Sequence, residues 1–202
     1  MQTNESSLDL VELAVGPGLW AKVPAIAPLV VIGTKEGRGY DLAPKHMAMP
    51  LSWEGYYGFV CAPTHATYAN IAAHPEFTVS FPRAADVLAA TFAAGGRGAD
   101  GAKPSLAAVP TIAARVVEPP LVAGCFFYLE CELARLVDGL GPNSLVVGRV
   151  VAASARREAL RGADVDDADL VHELGLLAYV SPARFATVRE TLAFPYPIDF
   201  RL

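Results

Sequence analysis

Residues 121–153 constrain the fold more than any other stretch. Two β-rich runs, LVAGCFFYLECELARLV (121–137) and LVVGRVVAA (145–153), flank the turn sequence Asp138-Gly139-Leu140-Gly141-Pro142-Asn143. Gly and Pro clustered between β-branched and aromatic runs predict a long antiparallel hairpin, as in a barrel. The alternating βαβ rhythm of a dinucleotide-binding sheet is absent, and so is its GxGxxG turn.

The rest of the chain fits around that hairpin. LVVIGT (29–34) reads as a strand that turns through the Gly-containing Lys35-Glu36-Gly37-Arg38-Gly39 into a returning strand. YYGFVCA (56–62) is another strand. Residues 67–73 read as a short helix, with Thr64 or Thr67 as N-cap and Pro75 past its end. In FTVSF (77–81), Phe77, Val79 and Phe81 alternate with Thr78 and Ser80, which predicts a half-buried strand. Residues 84–94 are Ala-rich and read as a helix, and GGRGADGAK (95–103) as a disordered or mobile loop. Residues 111–118 read as a short extended piece, 156–168 as a charged turn, 176–180 as a last strand and 184–191 as a last short helix. Six or so strands joined mostly by hairpins make a mainly β fold with α additions, an antiparallel β-barrel. We expect a lead-in over residues 1–20 and one domain over 21–202.

Hydrophobic residues make up 53% of the chain and charged residues 18%. That surplus of apolar material predicts a buried subunit interface. A net charge of −5 argues against a nucleic-acid partner. The N-terminus is polar and acidic, no apolar run approaches eighteen residues, and the three cysteines, Cys61, Cys125 and Cys131, lack CxxC spacing. The expectation is a cytoplasmic protein with reduced thiols and no membrane association. Cys125 and Cys131, six apart in a β-rich run, are expected on one face as small buried hydrophobes.

Two polar clusters carry candidate chemistry. Thr64, His65 and Thr67 open the helix after Pro63, where backbone N–H groups and the positive end of the helix dipole favour an anion. The plainer reading is that a threonine caps the helix and His65 faces water. Asp41-Leu42-Ala43-Pro44-Lys45-His46 contains a stiff X-Pro peptide that can present backbone groups to the edge of a flat ring. There Lys45 and His46 would meet negative charge; the alternative is an ordinary surface loop. His74 and His172 read as surface residues, and Asp166, Asp167 and Asp169 as a solvated acidic run that lacks calcium-loop spacing. Neither HExxH nor G-x-S-x-G occurs.

In this order, the motifs resemble the flavin reductase-like domain family, whose fold is the FMN-binding split barrel. VVIGTKEGRGYDLAPKHMAMP (30–50) is similar to its strand, turn and N-x-A-P-x-S segment, and PTHATYANIAAHPEF (63–77) to its phosphate turn. LVVGRVVAA (145–153) and YVSPARFATVRETLAFP (179–195) are similar to its later strand and C-terminal segment. Asp41 stands where the family often has Asn, His46 where it has Ser or Thr, and His65-Ala66 where it often has a basic residue and Asp.

The resemblance implies FMN at the interface of a homodimer, with Asp41, Leu42, Ala43, Pro44, Lys45 and His46 along the ring edge and Thr64, His65 and Thr67 at the phosphate. It implies an NAD(P)H:flavin reductase in which NADH or NADPH passes hydride to flavin N5 and a flavin-accepting oxygenase is the onward partner. No side chain need act as acid or base. The alternatives within the resemblance are an FMN-dependent electron-transfer protein, as in flavoredoxin, and a flavin-binding module without catalysis.

Overall fold

The computed structural model describes residues 9–162 and 166–195. Twelve strands and three α-helices lie within them. The strands are β1 (Ala25–Pro28), β2 (Val30–Glu36), β3 (Gly39–Lys45), β4 (Ala48–Ser52), β5 (Tyr56–Cys61), β6 (Glu76–Phe81), β7 (Thr111–Ile112), β8 (Leu121–Val122), β9 (Phe127–Leu140), β10 (Asn143–Ala155), β11 (Leu176–Ser181) and β12 (Arg184–Val188). The helices are α1 (Ala66–Ala73), α2 (Val87–Ala93) and α3 (Asp167–Leu174).

The main sheet has seven antiparallel strands in the order β3-β2-β6-β9-β10-β5-β4. The predicted long hairpin is β9–β10, which pairs from Leu140↔Asn143 to Phe127↔Ala155 across three register shifts. Strands β3 and β4 are opposite edges of this sheet, yet only His46 and Met47 separate them in the chain. A chain advances at most about 3.6 Å per residue, so the two edges must lie close and the sheet must curl into a barrel left split at β3/β4. The Met47 carbonyl accepts from the Val60 N–H at 2.8 Å, which fixes the crossing to β5. A smaller antiparallel sheet, β1-β11-β12, completes the fold with a β7–β8 pair.

Inside the barrel, Val30, Ile32, Phe59, Phe77, Val79, Cys131 and Val146 form one buried cluster, into which α1 inserts Ile71. Across β2, Val31 joins Leu42, Ala90, Ala93, Leu121, Val122 and Cys125 in a second cluster under α2. Strand β6 is therefore buried on both faces, not half-buried: Thr78 donates to the Pro120 carbonyl at 2.6 Å, and Ser80 accepts from the Val122 N–H at 3.0 Å. Cys125 and Cys131 fall in different clusters, not on one face, because Cys125 lies ahead of β9 and outside its alternation, whereas Cys131 lies within it. All three cysteines are free and buried, and burial above all pushes the Cys125 and Cys131 thiols up to about 12.

Three segments differ from expectation. Residues 95–103 fold back on themselves through a Gly98 N–H to Ala102 carbonyl bond and reach β3 through the Arg97 and Lys103 side chains, contacts that nothing local in the sequence announced. The acidic run opens α3: Asp166 caps it by accepting from the Ala168 N–H at 2.7 Å, and Gly175 (φ 60) ends it. Acidic residues in a first helical turn complement the dipole. The stretch from residue 184 is strand β12, not a helix, because Phe185, Thr187 and Val188 suit a strand and pair with β11. The reading of residues 1–8 and of the tail beyond Pro195 lies outside the described residues.

Glu130, 4% exposed, accepts from the N–H groups of Arg115, Val116 and Val117, pinning the segment ahead of β8 to the sheet. The Tyr57 hydroxyl is buried without a partner. An added Cβ at Gly33 would meet Thr78 Oγ1 and the Pro120 carbonyl oxygen. Gly33→Ala is therefore expected to cost about 1–3 kcal/mol of unfolding free energy by overpacking. Tyr57→Phe is expected to be neutral or stabilising by about 1 kcal/mol, since it removes an unsatisfied polar group. Urea unfolding midpoints check both.

Candidate functional site

Strand β3 has one free edge, and the site is built along it. In a strand, alternate residues turn their backbone groups toward opposite sides. The Leu42 carbonyl points away from β2, because it accepts from Lys103 Nζ at 2.6 Å. Two residues on, Pro44 shares that orientation, and the outer side of an edge strand is where a residue without an N–H is tolerated. The outer edge at Pro44 thus offers an acceptor and no donor.

Helices α1 and α2 flank β3. Asn70 of α1 donates to Thr34 Oγ1 at 3.0 Å, which ties α1 to β2. Neither Thr64 nor Thr67 caps α1. His65 occupies the N-cap with extended backbone and makes no side-chain cap bond, while Thr67 lies within the first turn and is 2% exposed. The first-turn N–H groups are thus not taken by a capping side chain, and they are partial positive charges at a helix end.

Between these elements lies a cleft of about 440 Å³, lined by Asp41, Ala43, Pro44 and Lys45 of β3, Thr64, His65, Ala66 and Thr67 at the start of α1, Ala93 and Ala94 at the end of α2, and Arg97 and Lys103. A hollow of about 190 Å³ shares Pro44, Lys45 and His65 with it and is completed by His46, Met47, Val60, Cys61, Ala62 and Asn143 at the barrel split. Seven of the nine predicted residues therefore line one cleft, and His46 lines the adjoining hollow. Leu42 stands apart: its side chain is fully buried in the second cluster, and its carbonyl is occupied by Lys103.

The residues missed in the sequence are Arg97 and Lys103. Asp41, 3% exposed, pairs through Oδ1 with Lys103 Nζ at 3.1 Å and through Oδ2 with Arg97 Nη2 at 3.2 Å. Arg97 also pairs with Glu36 at 2.9 Å. The sequence signal was a buried-strand aspartate, which demands a cation; nothing in the sequence said that the glycine-rich segment would supply it. His46 stacks on Tyr179 of β11 (centroids 4.2 Å apart, planes at 21°), bridging main sheet and small sheet. Burial, and then the Lys45 charge, lower its pKa from the ordinary 6.5. Among the described residues, no three His, Cys, Asp or Glu side chains gather as a metal site, and no helix is long and apolar enough to cross a membrane.

The flavin reductase like domain model matches residues 25–178, and the chain belongs to that family. Its fold is that of the split-barrel proteins. It is similar to nitrilotriacetate monooxygenase component B from Bacillus cereus (16% identity, 92% of this chain and 100% of that one, TM-score 0.77). It is also similar to a flavoredoxin from Methanosarcina acetivorans (16%, 93% and 96%, TM-score 0.76). A third is an NADH:FAD oxidoreductase of Streptomyces globisporus C-1027 (19%, 81% and 87%, TM-score 0.66). At such identities the likeness carries the fold alone. No curated protein matches the sequence.

The His46 shift has a sign that can be tested. A histidine whose folded pKa is depressed takes up protons on unfolding, so its contribution is complete above about 6.5 and is lost as pH falls toward the folded value. As pH is lowered from about 8 to about 5, the melting temperature of the wild type is expected to fall more steeply than that of His46→Gln. Parallel curves would mean that His46 titrates alike folded and unfolded.

Proposed function

We propose that the protein is an FMN-dependent oxidoreductase, a flavin reductase that takes hydride from NADH or NADPH. The observation that carries the reading is the convergence of the Ala43-Pro44 edge, the uncapped start of α1 and two cationic side chains on one cleft. Its volume falls within the roughly 300–1,000 Å³ typical of small-molecule sites. An anion at the α1 terminus would meet first-turn N–H groups and the Thr64 hydroxyl, with Lys45 nearby and with Arg97 and Lys103 held in ion pairs. A flat ring would lie along Ala43 and Pro44, its donors facing the Pro44 carbonyl, with His46 held by Tyr179 at its far end.

When bound, FMN supplies the hydride-accepting chemistry, and the protein supplies position and polarity. The chain's own residues then bind, orient and exclude water; none is assigned a proton transfer. A neutral His46 leaves Lys45 as the nearby positive charge on that side. Membership of the flavin reductase like family and likeness to an NADH:FAD oxidoreductase and to a monooxygenase component support the reductase reading. Likeness to a flavoredoxin favours, as second reading, the same cofactor serving electron transfer to a protein.

The chain is proposed to act as a homodimer with flavin near the interface, and a flavin-accepting oxygenase is the proposed onward partner of a reductase. Support for the dimer is the apolar edge beside the split: Met47, Met49 and Leu51 are exposed, and Trp53 is 98% exposed. Contiguous apolar surface of this kind marks an interface.

Three outcomes are expected. FMN fluorescence is quenched on titration with the protein, and Thr64→Ala weakens binding about 2–10-fold, the value of one hydrogen bond; unquenched fluorescence at saturating protein sinks the reading. The wild type oxidises NADH or NADPH with free flavin as acceptor, whereas oxidation of neither, with FMN bound, favours the electron-transfer reading. Light scattering gives a dimer mass that Met49→Glu lowers to that of a monomer.

A further inference from the structure

We infer that Asp41 sets the site's preference between phosphorylated and unphosphorylated flavin, by neutralising the cations that would otherwise hold the phosphate. The inference rests on the flavin reading above and concerns the charge of the same cleft. Arg97 and Lys103 both line it, and both are already paired: Lys103 with Asp41, Arg97 with Asp41 and Glu36. Two cations and two carboxylates cancel. Among the described residues lining the cleft, Lys45 is the cation with no ion pair.

The pairing is not an incidental surface contact. The side chains of Asp41 and Lys103 are 4% and 9% exposed, and Lys103 is fixed further by the Leu42 carbonyl. An ion pair shielded from water keeps its geometry, whereas exposed pairs are worth little. A phosphate entering beside Thr64 and Thr67 therefore meets cations whose field Asp41 has largely absorbed. Its attraction is left to the helix N–H groups, the Thr64 hydroxyl and Lys45. The wild-type cleft should favour FMN over riboflavin only as far as those remaining groups hold the phosphate.

Substitution of one charge at a time gives opposite expectations, although both changes break the same Asp41–Arg97 contact. Asp41→Asn keeps the side-chain shape, leaves Lys103 without its carboxylate and Arg97 paired with Glu36 alone, and so adds one net positive charge beside the phosphate. Arg97→Gln leaves Asp41 and Glu36 under-compensated. A purely structural role for the ion pair would move both flavins together, in the same direction for both variants.

The test is fluorescence titration of full-length wild type, Asp41→Asn and Arg97→Gln with FMN and with riboflavin, at low and at about 1 M salt, where screening is nearly complete. Asp41→Asn is expected to raise the FMN-to-riboflavin affinity ratio about tenfold, and Arg97→Gln to lower it comparably, as for one unit charge a few ångströms from a partly screened phosphate. Both changes should shrink toward the wild-type ratio at high salt. Ratios that stay unchanged, or move the same way in both variants, overturn the inference while leaving the flavin site standing. Binding of neither flavin by the wild type overturns both. Should Asp41→Asn fail to fold, the sign for Arg97→Gln, whose side chain is 31% exposed, decides alone.

Discussion

The two-residue link between β3 and β4 is the constraint on which the remaining structure depends. It joins opposite edges of a seven-stranded sheet, so the sheet must curl until those edges approach. Closure stops there because Pro44 has no N–H to donate outward and Lys103 occupies the Leu42 carbonyl. The barrel stays split, and the split leaves backbone edge, polar side chains and the start of α1 facing one space. The cleft is a consequence of incomplete sheet closure, with helices placed on either side of the gap.

What the sequence made legible follows from which signals are local. The β9–β10 hairpin was plain because Gly139, Gly141 and Pro142 stand between two β-rich runs, and glycine at positive φ completes the turn (139, φ 89; 141, φ 64). The β2–β3 hairpin was equally plain, with Gly37 at φ 54. Strand β12 was not, because Arg184 to Val188 is too short for a period and its identity comes from pairing with β11. Helix α3 was hidden by its own charges: Asp167 and Asp169 look like a solvated run until Asp166 and Gly175 are seen as its caps. In β6, the alternation of Thr78 and Ser80 implied an exposed face, but both hydroxyls satisfy backbone groups of a covering segment distant in sequence.

The site shows the same division. Family pattern and local chemistry named Asp41 to His46, Thr64, His65 and Thr67, and all but Leu42 border the cleft or its adjoining hollow. Charge balance was not legible. The cations that balance Asp41, Arg97 and Lys103, come from about sixty residues downstream of it. Asp41 pairs with both of these cations. A buried carboxylate without them would be costly, so the glycine-rich segment is held in place by electrostatics.

Membership of the flavin reductase like family and the fold are established; the occupant of the cleft is the claim most in need of a direct look. Crystals of the protein soaked with FMN supply it. The account predicts density for the phosphate at the N–H groups of Ala66 and Thr67 beside Thr64, with the ring along Ala43 and Pro44. Flavin bound elsewhere, or a phosphate pointing away from the start of α1, would contradict it.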